Sequence, residues 1–261
     1  MTSSAAPGDG PRADVGVIGG SGLYSLLDDV TEVQVDTPYG PPSAPLTIGE
    51  VGGRRVAFLP RHGTDHTLPP HLVPYRANLW ALHHLGVRAI FGPCASGSLQ
   101  PDIHPEEFVV LDQVVDRTYG RPASYFEGPE INHVSFADPY HPALRAAAIQ
   151  ACRDEGVTVH EAGTVVVING PRFSTRAESR WYSAQGWHVV NMTQMPEAVL
   201  AAELEVPYAA IALITDYDVG LEGRAGIEPV TMDEVFATLG RNAERVRGVL
   251  FRAIELLPDE L

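Results

Sequence analysis

The 261-residue chain is 44% hydrophobic and 20% charged, the balance of a globular protein, and its length suits one α/β domain with a substantial core. Its 33 Asp and Glu residues against 18 Lys and Arg leave a net charge of -15, a field that repels polyanions and excludes nucleic acid as a partner. No apolar run approaches the ~20 residues of a membrane span, and Met1 to Gly10 lack the regions of a signal peptide, so a cytoplasmic protein with no membrane partner is expected.

Residues 1–13 read as a disordered N-terminus and 14–261 as a single domain. Val15 to Ile18 form a buried strand that runs into Gly19-Gly20-Ser21-Gly22. Strands follow at Glu32 to Val35, Leu46 to Glu50 and Val56 to Leu59, the last two joined as a hairpin through Gly52-Gly53. Val73 to Leu85 has helical spacing, and Gly86 stops it. Arg88 to Pro93 and Phe108 to Val115 are the next strands, and Thr118 to Pro139, rich in Gly, Pro and aromatic residues, is a long ordered loop.

Pro142 opens a helix through Glu155 that carries Cys152 as a core residue. A strand at Gly163 to Ile168, a helix at Thr175 to Gln185, a strand at His188 to Val190 and a helix at Pro196 to Glu205 follow. The apolar run Pro207 to Thr215 is a strand that ends on Asp216, and a last helix spans Met232 to Leu257. The alternation predicts an α/β fold, a single domain with a mixed, largely parallel central β-sheet flanked by helices.

Strand ends in such folds deliver polar groups to one crevice. Gly19-Gly20-Ser21-Gly22 suits an anion, because glycines expose backbone N–H groups and Ser21 adds a hydroxyl. The same loop admits a dinucleotide reading, for which Asp36 is a loosely placed ribose acid, but the third position of G-x-G-x-x-G is Ser25. Arg61, after a strand, suits a bidentate grip on phosphate or a solvated surface site. His62 and His66 have the spacing of a helical metal pair, yet Gly63 opposes a helix and no third ligand follows, so no metal is expected.

The small side chains of Pro93 to Ser98 leave backbone donors accessible, and Cys94, without an activating His or Lys, reads as a wall rather than a nucleophile. Ser174 or Thr175 caps the following helix with Glu178 as capping-box partner, which leaves Phe173 for core packing or for stacking on a planar ring. Only Cys94 and Cys152 are present and G-x-S-x-G is missing, so disulfide, zinc-ribbon and Ser-hydrolase chemistry lose support.

The segments Ile18-Gly19-Gly20-Ser21-Gly22-Leu23, Arg61-His62-Gly63, Ala95-Ser96-Gly97-Ser98-Leu99, Gly170-Pro171-Arg172-Phe173-Ser174, Asn191-Met192-Thr193-Gln194-Met195-Pro196-Glu197 and Thr215-Asp216-Tyr217-Asp218 resemble the purine nucleoside phosphorylase family, in its 5'-methylthioadenosine phosphorylase branch. They lie in the family's order between about residues 15 and 240. The resemblance implies phosphate contacts from Ser21, Arg61, His62, the Cys94-Ala95 backbone and Thr193. It implies Met192 beneath the ribose beside Asn191, Phe173 against the base, and Ser174, Asp216 and Asp218 around the purine edge. Met232, Val235 and Phe236, apolar and at helical spacing at the start of the last helix, suit either the core or a methylthio group, and the resemblance implies His133 of a neighbouring subunit reaching the 5' end. It further implies a homotrimer or a dimer of trimers, purine nucleoside and inorganic phosphate as substrates, and no cofactor.

Adenine offers donors at N6 and an acceptor at N7, which a carboxylic acid at Asp216 matches with one oxygen each. Protonation of N7 relieves charge on the leaving base, provided that burial or Asp218 keeps Asp216 protonated. Two departures bear on the resemblance: Cys94 stands where many relatives have Thr, and the chain ends at Leu261, soon after its last helix. Adenosine, inosine and guanosine remain alternative substrates. A Rossmann-type oxidoreductase and a non-catalytic nucleotide binder remain alternative classes.

Overall fold

Short apolar runs closed by glycine or proline set the strand pattern. The computed structural model describes residues 11–23, 26–221, 227 and 231–259, the side chain of Met232 excepted. In chain order the elements are β1 (Val15–Gly19), β2 (Thr31–Val33), β3 (Leu46–Val51), β4 (Arg54–Pro60), α1 (Tyr75–His84), β5 (Ala89–Phe91), β6 (Cys94–Ser98), β7 (Phe108–Val110) and β8 (Gln113–Arg117). They continue with α2 (Pro142–Asp154), β9 (Val159–His160), β10 (Thr164–Ile168), α3 (Arg176–Ala184), β11 (Val189–Asn191), α4 (Gln194–Glu203), β12 (Tyr208–Ala209), β13 (Ile211–Tyr217) and α5 (Met232–Glu255).

The sheet expected as one is divided in two. One runs β12-β5-β1-β4-β3-β2 and the other β8-β10-β11-β6-β13-β7-β9. Of the pairs between strands distant in sequence, β1 with β4 and β5, β8 with β10, and β6 with β13 are parallel, while β6 with β11 and β7 with β13 are antiparallel. The β3–β4 hairpin turns through Gly52 and Gly53, whose φ of 58° and 78° favour glycine. Helices α1 and α4 pack together, as do α2 and α5. Cys152 lies fully buried on α2.

The chain passes from the first sheet to the second twice, side by side. Gly92 and Pro93 link β5 to β6, Ala210 links β12 to β13, and Gly92 N donates to Ala209 O at 2.8 Å across the seam. A methyl group on Gly92 would lie 1.9 Å from the Tyr208 hydroxyl oxygen and 2.9 Å from Glu197 Oε1, so the crossing admits only glycine without a shift.

Several elements differ from expectation for local reasons. Pro93 to Ser98 is itself largely strand β6. The apolar run at Phe108 to Val115 breaks at Leu111-Asp112 into β7 and β8, which occupy different places in the second sheet. Strand β13 extends to Tyr217, so Asp216 lies within the strand, past a register shift between Ile214 and Asp216. Met195 holds a non-helical φ of -119° near the start of α4. Of the N-terminal stretch expected to be disordered, residues 1–10 lie outside the described residues. Ala13, adjoining the expected domain boundary, is buried and donates its N–H to Leu85 O at 3.0 Å.

Candidate active site

A cleft of about 320 Å³ opens where β1, β4, β6, β11 and β13 end or bend, a volume suited to a small molecule. One end is polar. Gly20 and Ser21 follow β1, Arg61 and His62 follow β4, Cys94 and Ala95 begin β6, and Thr193 precedes α4. The Thr193 side chain makes no bond to the helix it precedes, although helix starts favour anions. Gly20 lies so close to β6 that an added Cβ would stand 3.0 Å from both Pro93 O and Arg61 Nη1.

Arg61 is buried, and most of its donors are spent within the protein. Nε and Nη2 each bond a Glu197 carboxylate oxygen at 2.7 Å, Nη2 reaches Ile18 O at 3.1 Å and Nη1 reaches Pro93 O at 3.1 Å. A guanidinium has five N–H groups, so one on Nη1 is left for the cleft rather than the bidentate face expected from sequence. Tyr208 supports the arrangement by donating to Glu197 Oε1 at 2.6 Å. Burial alone would lower the Arg61 pKa, but Glu197 outweighs it and the charge is firmly held.

Burial and the Arg61 charge push the His62 pKa down to about 4, against the opposing pull of the Leu68 carbonyl. His62 Nδ1 lies 2.8 Å from Leu68 O, and because a carbonyl only accepts, the proton sits on Nδ1 and Nε2 is the nitrogen left for the cleft. With Arg61 balanced by Glu197 and His62 neutral, what this end can offer an anion is chiefly O–H and N–H dipoles. The Cys94 thiol is buried in the cleft wall, its pKa raised by burial, and its sulfur accepts from Asn191 Nδ2 at 3.3 Å.

The opposite wall mixes apolar and polar side chains. Phe173 borders the cleft beside Ile168 and Val190. Ser174 Oγ, Asn191 Oδ1 and Asp218 Oδ2 are buried without a hydrogen-bond partner among the described residues, and all three belong to residues lining the cleft. Ser174 and Ser179 lie close enough to Asp218 to favour its ionised form, so these atoms form a polar patch with hydrogen-bonding capacity to spare on the cleft side. Burial raises the Asp216 pKa to about 6, opposed by a hydrogen bond from Thr215 and aided by the charges of Asp218 and Glu234. Burial also raises Asp218. The capping box of α3 is as expected, with Thr175 as the cap and Glu178 as its partner, which leaves Phe173 and Ser174 to the cleft.

Met192, Asn191 and Val235 also border the cleft, Met192 against Gly170, whose φ is 63°. The Met232 side chain lies outside the described residues. His133 is exposed in the 118–139 loop and does not line this chain's cleft. Glu197 and Thr215 lay in the sequence motifs but were given no role there. Among the described residues no group of three His, Cys, Asp or Glu side chains could hold a metal ion, and no helix is long and apolar enough to cross a membrane.

Residues 14–255 match the description "Phosphorylase superfamily". The chain belongs to that superfamily. It is similar to the purine nucleoside phosphorylase of Streptomyces coelicolor, 56% identical over 255 residues that cover 95% of this chain and 90% of that protein. It is also similar to the S-methyl-5'-thioadenosine phosphorylase of Mycolicibacterium smegmatis, 57% identical over 94% of this chain and 92% of that one. Among solved structures, the methylthioadenosine phosphorylase from Schistosoma mansoni in complex with adenine superposes with a TM-score of 0.89 at 40% identity, covering 94% of this chain and 92% of that chain. Superfamily membership thus accounts for the nucleoside phosphorylase fold that the motifs implied.

Proposed function

We propose that this enzyme cleaves the N-glycosidic bond of 5'-methylthioadenosine with inorganic phosphate, giving adenine and 5-methylthioribose 1-phosphate. The observation that carries the reading is Asp216, a carboxyl whose pKa is raised to about 6, in one cleft with a polar end and with Ser174 and Asp218. At neutral pH about a tenth of such groups carry a proton, and hydrogen bonding to a base nitrogen increases that share.

In this reading the hydroxyls of Ser21 and Thr193, the Cys94-Ala95 backbone and the remaining Arg61 N–H donate to phosphate, and His62 Nε2 accepts from a protonated phosphate oxygen. Met192 and Asn191 border the ribose, Phe173 lies against the base, and Ser174 and Asp218 meet the purine edge. A phosphate oxygen bonds to the anomeric carbon as the carbon–nitrogen bond breaks, and the phosphate charge stabilises the oxocarbenium-like sugar between them. The electron pair passes to the purine, and Asp216 protonates N7. Because Asp216 also accepts from an N6 amino group, adenine nucleosides are preferred over 6-oxopurine nucleosides.

Pro69, Pro70 and Val235 put apolar surface in the remaining wall beside His66 and Thr67, and this surface favours a methylthio group over a hydroxyl. The name of the Streptomyces relative favours a second reading, a broader purine nucleoside phosphorylase that also takes adenosine. Inorganic phosphate serves as co-substrate without a further cofactor, in a cytoplasmic homotrimer or dimer of trimers. Exposed Ile131 and Tyr119 support contact between copies through the loop that carries His133.

The test follows purine release from methylthioadenosine, adenosine and inosine, each with and without phosphate. The expected result is phosphate-dependent release that is fastest from methylthioadenosine. Release from inosine alone, or at equal rate without phosphate, contradicts the reading.

A further inference from the structure

Consecutive residues of a regular strand point to opposite faces, yet Thr215 and Asp216 both line the cleft. A β-bulge is the cause. On β6, Ser96 pairs with Ile214 and Gly97 with Asp216, so Thr215 is the extra residue and turns toward the same side as its neighbour. Its hydroxyl donates to Asp216 Oδ1 at 2.6 Å, while the competing acceptor, Ser96 O, lies at 3.4 Å. Across the cleft wall, an added Cβ on Gly97 would stand 3.1 Å from Asp216 Oδ2, so glycine keeps that second oxygen open.

We propose that Thr215 is a positioning residue for the acid step: by donating to one lone pair of Oδ1, whose other lone pair stays open to N6–H, it confines the Asp216 proton to Oδ2, the oxygen that Gly97 leaves accessible, and so selects the atom that protonates the leaving purine. The assignment rests on the phosphorolytic reading. As the phosphate oxygen–C1' bond forms and the C1'–N9 bond breaks, the bonding pair passes to the purine and the Oδ2 proton passes to N7. Asp216 is then an anion, and the Thr215 hydroxyl bond to it becomes charge-assisted. The bond is therefore stronger late in the reaction than early, which is the condition for lowering a barrier.

The other titratable or charged groups around Asp216 are Arg61 and His62 beyond β4, His66 after them, Cys94 on β6, Asp218 on its own segment and Glu234 in the first turn of α5. A change from hydroxyl to methyl at position 215 alters none of them.

The test compares Thr215→Val and Thr215→Ser with the wild type in kcat/KM for methylthioadenosine at saturating phosphate, from pH 5 to 9. Thr215 favours the ionised form of Asp216, so its loss raises the carboxyl's pKa. Thr215→Val is expected to lose about 10- to 100-fold on the acid plateau and to move the alkaline fall in activity to higher pH. Thr215→Ser is expected to restore both. An alkaline limb left at the wild-type pH, or no rescue by serine, overturns the assignment.

Calorimetric adenine binding over the same range supplies a readout without turnover, and Thr215→Ala replaces the valine variant should that one not fold. Wild-type affinity is expected to weaken as pH rises and Asp216 ionises, with a higher midpoint in the variant lacking the hydroxyl. That shift upholds the Thr215 assignment even if the wild type shows no phosphorolysis. Identical pH courses sink it even if the wild type turns over.

Discussion

Asp216 makes the protein less stable in order to keep a proton. Its pKa in the fold, about 6, lies above the ordinary 3.8, so the native state binds the proton more tightly than the unfolded chain does. Stability from this group is thus greatest at acid pH, falls as pH rises from about 4 to 6, and stays reduced above that by about 1–3 kcal/mol. Asp216→Asn is expected to raise the denaturation midpoint at pH 8, to leave it near the wild-type value at pH 4, and to lower kcat for methylthioadenosine by at least about 100-fold. Melting curves at the two pH values check the first part. An unchanged midpoint at pH 8 would mean that Asp216 carries no burial cost. His62 behaves oppositely, since its folded pKa near 4 lies below the ordinary 6.5 and its neutral form persists through the working range.

At the scale of elements, the site depends on places where regular structure is interrupted. The seam at Gly92 lets Tyr208 and Glu197 pack against the backbone and hold Arg61 from behind. Gly92→Ala must displace a buried tyrosine and a buried ion pair, and it is expected to cost about 2–4 kcal/mol in a urea denaturation series and to weaken phosphate binding. A variant with wild-type stability and phosphate KM would show that the seam has room to give. The bulge at Thr215 is a second interruption, and the non-helical Met195 ahead of Pro196 and Glu197 is a third.

Such irregularities explain what was and was not legible in the sequence. The glycine after β1, the hairpin at Gly52-Gly53 and the capping box of α3 are local, and their chemistry can be read from a few residues. The bulge is a matter of register between β6 and β13, more than a hundred residues apart, and no pattern along β13 alone betrays it. The division into two sheets is similarly non-local, because Gly92-Pro93 resembles any strand end until Ala209 and Ala210 are laid beside it. Arg61 was legible as a site residue, but its bond to Glu197, which takes up its bidentate face, was not.

At the scale of the molecule, the proposed phosphate site offers dipoles rather than net positive charge. The surface carries a net charge of -15, while the anion end of the cleft pairs its arginine with a glutamate and keeps His62 neutral. Phosphate binding is therefore expected to depend only weakly on ionic strength, since little long-range attraction is available to screen. In the proposed reaction adenine leaves as phosphate, and not water, takes its place on the sugar. Phosphorus NMR of the wild-type reaction with methylthioadenosine, run beside adenine quantification, tests it most directly. One sugar 1-phosphate formed for each adenine released is the expected result, and adenine accumulating without a sugar phosphate resonance would contradict it.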